Sequence, residues 1–81
     1  MIDRDDLKRE ILKFYATGED MGALRAHLET LHGAGFISRL NLNLIVRELV
    51  SDGFLFQRGG TRSVYRTQRK GQEWLESVQA A

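Results

Sequence analysis

Residues 49–71 read LVSDGFLFQRGGTRSVYRTQRKG, and each punctuation mark in that stretch has a local physical meaning. Gly53 follows the apolar pair Leu49 and Val50 and suits the left-handed backbone that ends a helix. Phe54 to Arg58 then starts a strand, Gly59-Gly60 supplies the positive φ of a tight hairpin turn, and Ser63 to Thr67 returns with Val64 and Tyr65 as strand formers. Thr67 stands where an N-cap opens a last helix containing Trp74, Leu75 and Val78. The local order is helix, β-hairpin, helix.

Upstream, Asp3, Asp5 and Asp6 favour a helix start through the macrodipole, and Leu7, Ile11, Leu12 and Phe14 or Tyr15 form an apolar stripe at helical spacing that Gly18 closes. Asp20 caps a second helix whose inward stripe is Leu24, Leu28 and Leu31 and whose end is marked by Gly33 and Gly35. Phe36 and Ile37 plug the core from the connecting loop. Ser38 or Asn41 opens a third helix with a wide inward face of Leu42, Ile45, Val46, Leu49 and Val50. The expected fold is mainly α with a small β-hairpin: three helices, a two-stranded wing and a C-terminal helix in one domain spanning 1–81.

Composition bounds the partners. A chain of 81 residues buries roughly 60–65% of its unfolded surface, so it is modestly stable alone and gains from dimerisation. With 42% hydrophobic and 28% charged residues it is globular and not disordered. The absence of cysteine excludes disulfides and thiolate metal sites and fits a reducing, cytoplasmic setting. No apolar run approaches the roughly 18 residues of a membrane span, and the acidic start at Asp3, Asp5 and Asp6 is unlike a signal peptide.

Charge is unevenly spread. From Phe56 to Gly71 the basic residues are Arg58, Arg62, Arg66, Arg69 and Lys70 with no Asp or Glu, a local +5 in a chain of net charge +1. Nine of the twelve basic residues are Arg, whose planar fork suits phosphate and guanine better than a lysine point charge does. A surface that positive points to a polyanion; the structural alternative is solvated charge that keeps an edge strand from pairing with another chain.

These features resemble the winged helix-turn-helix superfamily, of the kind seen in small MarR-, ArsR- or PadR-like regulators, over nearly the whole chain. The resemblance is carried by Leu49-Val50-Ser51-Asp52-Gly53-Phe54-Leu55, similar to the ending of the superfamily's third helix, and by Tyr65-Arg66-Thr67-Gln68-Arg69-Lys70-Gly71, similar to the exit of its wing. It implies a third helix in the DNA major groove and a hairpin on the neighbouring backbone or minor groove. The implied DNA-facing set is Arg39, Asn41, Asn43 and Arg47 from helix three with Arg58, Thr61, Arg62, Arg66, Arg69 and Lys70 from the wing and its exit. Double-stranded DNA is the expected partner, to a homodimer built by helix one and the last helix through Leu12, Tyr15, Trp74, Leu75 and Val78.

Two features depart from the superfamily. The link His32-Gly33-Ala34-Gly35-Phe36-Ile37 is longer than its usual turn, and a helical wheel puts Leu40, Leu44, Arg47, Glu48 and Ser51 outward on helix three. Leucine reads bases poorly and Glu48 opposes phosphate, so Leu40 and Leu44 also fit a protein-docking patch of a larger assembly. Other chemistry is thin. His27 and His32, five apart, do not share the helical face of a two-histidine metal pair, and the glycine pairs lack the strand-loop-helix setting of a phosphate loop. No nucleophile, base and orienting group stand together as a set, so neither an enzyme, a metal nor a cofactor is expected.

Overall fold

The computed structural model describes residues 3–59 and 64–80, with the side chains of 79 and 80 outside the description. Helices α1 (Arg4–Phe14), α2 (Met21–His32), α3 (Ala34–Ser38), α4 (Leu42–Ser51) and α5 (Arg69–Ala80) surround a small antiparallel sheet of β1 (Glu19–Asp20), β2 (Leu55–Arg58) and β3 (Val64–Thr67). The fold is mainly helical, and the sheet has three strands in the order β1-β3-β2 where the sequence suggests two. A two-residue strand has no alternation to read, so β1 becomes visible only through its pairing of Glu19 with Tyr65 and Asp20 with Val64.

Helix starts follow local capping chemistry. Asp3 accepts from the Asp5 N–H at 2.9 Å, Asp20 from Ala23 at 2.8 Å, and Asn41 from Leu44 at 3.1 Å, each satisfying a first-turn donor that has no partner inside its helix. The stops follow as well: Gly18, Gly33 and Gly53 have φ of 85°, 90° and 85°, a region costly for any residue with a Cβ. Between Gly33 and Arg39 the expected loop is instead the five-residue α3, with Gly35 inside it, Ile37 fully buried and Phe36 half-buried. The link is long because it holds a turn of helix that carries Ile37 into the core.

The core takes Leu7, Ile11, Leu12 and Tyr15 from α1 and the 3-10 turn that follows it, Leu24 and Leu28 from α2, and Leu42, Val46 and Leu49 from α4, closed by Ile37, Leu55 and Tyr65. Three expectations fail here. Leu31 continues the α2 stripe on paper but is 53% exposed, because that stripe outlasts the surface it packs on. Leu12 and Tyr15, assigned to a dimer face, are fully buried within one chain and cannot serve a partner. Thr67 does not cap α5. Its Oγ1 donates to the Leu12 carbonyl at 2.6 Å in a buried site, which ties β3 to an α1 carbonyl near the end of that helix.

The exit from β3 into α5 works as a structural tie. Gln68 donates from its backbone N–H to the Phe54 carbonyl at 2.9 Å and from its side chain to Leu55 at 3.2 Å, while Lys70 Nζ donates to the Asp52 carbonyl at 2.7 Å, where a cation complements the negative end of α4. Lys8 of α1 lies 3.7 Å from the centre of the Phe54 ring and 4.3 Å from that of Trp74, a cation–π contact joining α1 to α5. Burial first, and then the nearby Tyr65 and Asp20, push the Tyr15 hydroxyl well above its ordinary value of 10.0. The unfolded chain would ionise that phenol first, so its contribution to stability is full below about pH 10 and is lost as the pH rises further. In an alkaline titration the Tyr15 phenolate absorbance should appear together with loss of helical circular dichroism; ionisation within an intact fold would contradict this packing.

Candidate nucleic-acid interface

Helix α4 has two exposed flanks of different character. Leu44 and Ile45 face α1 and, with Arg4, Leu7, Phe36, Leu40 and Asn41, line an open, largely apolar groove of about 360 Å³. Glu48 lies along the same flank, where its Oε2 accepts from Arg4 Nη2 at 2.6 Å. Asn43 and Arg47, one helical turn apart and therefore stacked, are exposed on the flank away from α1. The two uses that the sequence leaves open for this helix thus separate in part: Asn43 and Arg47 lie on one side and the leucines on the other, but Asn41 lines the groove with the leucines.

Leu44 is outward as expected, at 50% exposure, but Leu40 is not. It precedes the first turn of α4, so a helical wheel does not apply to it, and it is half-buried against the core. Leu44→Ser should therefore change stability by no more than about 0.5 kcal/mol, whereas Leu40→Ser should cost about 1 kcal/mol or more. Equal thermal midpoints for the two variants would contradict this assignment. Asn41 also has a prior use. Its amide oxygen caps α4, and bidentate pairing with adenine would need that same oxygen.

The basic run divides in the same way. Lys70 is committed to the Asp52 carbonyl, and Arg69 lies 3.4 Å from Glu73 one turn along α5. Thr61 and Arg62, with Gly60 and Ser63 in the sequence between β2 and β3, lie outside the described residues. Arg58 and Arg66 remain, together with Arg39 and Arg47 from the α3–α4 region. All four are exposed, and among the described residues none makes an ion pair or a side-chain hydrogen bond.

The hairpin register assigns its faces. Leu55 pairs with Thr67 and Gln57 with Tyr65 on the face turned to the core; Phe56 pairs with Arg66 and Arg58 with Val64 on the outer face. Neither strand carries an acidic residue. Phe56 and Val64 are absent from the sequence-derived set, although alternation from the buried Leu55 and Tyr65 would have turned both outward.

The histidines have structural partners. His32 Nε2 lies 2.7 Å from Glu10 Oε2, and His27 stacks on Phe14 with ring centres 4.8 Å apart. Among the described residues no three His, Cys, Asp or Glu side chains cluster as a metal site, and no helix is long and apolar enough to cross a membrane. Comparison with protein-family models, with curated proteins and with solved structures finds no match to this chain.

Proposed function

We propose that this chain is a non-enzymatic DNA-binding protein of winged-helix architecture, a small transcriptional regulator that uses α4 and the hairpin. The architectural reading is supported by the element order, in which β1 lies between α1 and α2 and pairs with the second strand of the hairpin that follows α4. The observation that carries the function is the set of four exposed, uncommitted arginines, Arg39, Arg47, Arg58 and Arg66, beside described arginine–carboxylate pairs that are all internal; Arg25, also without an ion pair among the described residues, is half-buried on α2. Asn43 and Arg47 offer base-edge contacts, and the hairpin arginines offer phosphate contacts. Glu48, neutralised by Arg4, opposes the phosphates less than its sequence position suggests. Fluorescence anisotropy with a labelled duplex should show binding at low salt that weakens steeply as salt rises. No binding at low salt would overturn the reading.

A second reading is supported by the α1–α4 groove: an interaction module docking a protein partner through Leu44, with the half-buried Leu40 lining the same groove. The discriminating variant is Leu44→Ser, which leaves the arginine flank intact and so should leave DNA affinity unchanged. A homodimer through α1 and α5 would rest on Leu75 and Val78, both half-buried, since Leu12 and Tyr15 belong to the core and Trp74 packs on Phe54. Sedimentation equilibrium giving a monomer at micromolar concentrations would remove it.

A further inference from the structure

The outer face of the hairpin combines exposed apolar side chains with free arginines. Phe56 is 54% exposed and Val64 40%, and they alternate with Arg58 and Arg66 across the two strands. With Thr17 and Gly18 from the turn after α1, these four residues enclose a hollow of about 270 Å³. Asp20 of β1 lies in register with Val64, but its carboxylate is turned to the Ala23 N–H and does not neutralise the arginines. A lone exposed phenylalanine is ordinary. Here the ring sits directly opposite a free arginine, two residues from another, at the edge of a hollow.

Phosphates alone would engage the arginines and leave Phe56 against a charged backbone, a poor match for an apolar ring. The faces of paired bases are hidden in the stack, and a surface ring reaches them only by wedging between base steps, which costs a few kcal/mol of unstacking per step. An unpaired nucleotide offers both halves of the complement: a base face for the ring and flanking phosphates for the guanidinium groups. We propose that this face binds an unpaired nucleotide, with the base stacked on Phe56 in the hollow beside Thr17 and Gly18 and the adjoining phosphates on Arg58 and Arg66. The site deepens the nucleic-acid reading above and rests on it. The substrate class it defines is DNA with a single-stranded segment, such as an overhang or a frayed end, beside or in place of an intact duplex.

The test is fluorescence anisotropy with three labelled probes: oligothymidylate, a blunt duplex, and the same duplex carrying a thymidine overhang. The overhang probe should bind more tightly than the blunt duplex. Phe56→Ala should abolish that preference and weaken oligothymidylate binding roughly ten-fold, the scale of one lost base–aromatic stack, while Phe56→Trp should retain both. Thermal melts of both variants should match the parent, because the ring is exposed. If the blunt duplex and the overhang probe bind equally, or if Phe56→Ala weakens all three probes alike, the unpaired-nucleotide site is wrong and the DNA-binding reading survives. Binding of oligothymidylate without the duplex would uphold the site and overturn the duplex regulator. Silence from all three probes would overturn both.

Discussion

Gly71→Ala is expected to destabilise the protein by about 1–3 kcal/mol, the range for forcing extra volume into a closed contact. Helix propensity alone predicts the opposite sign, since alanine inside a helix is favoured over glycine by roughly 0.5–1 kcal/mol. The difference lies in what α5 touches. A Cβ at Gly71 would stand 2.6 Å from the Phe54 carbonyl oxygen and 2.8 Å from Thr67 Cγ2. Neither neighbour can retreat freely: the carbonyl holds the Gln68 N–H at 2.9 Å, and the Thr67 hydroxyl is anchored to Leu12 at 2.6 Å. The first turn of α5 must therefore move outward and loosen the tie that joins it to β3 and α4. Gly35→Ala is the matched control, because a Cβ there meets nothing within 4 Å and the position lies in α3. It should stabilise by about 0.4–1 kcal/mol. Thermal denaturation separates the two, with each kcal/mol moving the midpoint by roughly 4–8 °C in a domain of this size. A raised midpoint for Gly71→Ala would mean that α5 does not approach the Phe54 carbonyl and Thr67 as described.

The second large effect concerns binding. Replacing both Arg58 and Arg66 by Ala should reduce the magnitude of the slope of log K against log salt by about 2, close to one for each phosphate contact removed. The affinity loss should be nearly independent of duplex sequence, because phosphate contacts position a protein without reading bases. Stability should stay within about 0.5 kcal/mol, as both side chains are exposed and unpaired among the described residues. Lys70→Ala should behave in the reverse manner. It leaves the salt slope unchanged and lowers the thermal midpoint, because Lys70 holds the Asp52 carbonyl at the end of α4. A double arginine variant with an unaltered slope would remove the hairpin from the interface and leave the Asn43–Arg47 flank to carry it.

What could be read directly from the chain is the part of the structure made by neighbours in sequence. Asp3, Asp20 and Asn41 cap helices through bonds to N–H groups two or three residues on, and Gly18, Gly33 and Gly53 end helices by their own φ. Such signals need no knowledge of the fold, which is why the helix borders and the hairpin strands lie close to where the sequence puts them. The candidate site was only half legible for the same reason. The acid-free run from Phe56 to Gly71 is visible as charge, but which of its cations are free depends on partners elsewhere: Lys70 is taken by Asp52, eighteen residues away, and Arg4 reaches Glu48 across forty-four.

Tertiary structure alone decided the rest. It made β1 a strand by setting two residues beside Tyr65 and Val64, turned Thr67 from a helix cap into an anchor on Leu12 fifty-five residues away, and drew Leu12 and Tyr15 into the core. It also split α4 into a leucine flank against α1 and an Asn43–Arg47 flank away from it, and brought Phe56, Arg58, Val64 and Arg66 together with Thr17 and Gly18. Helical period and capping act over a few residues and leave their mark in the local pattern. A contact between distant residues is set by how whole elements pack, and no window of the sequence contains both of its partners.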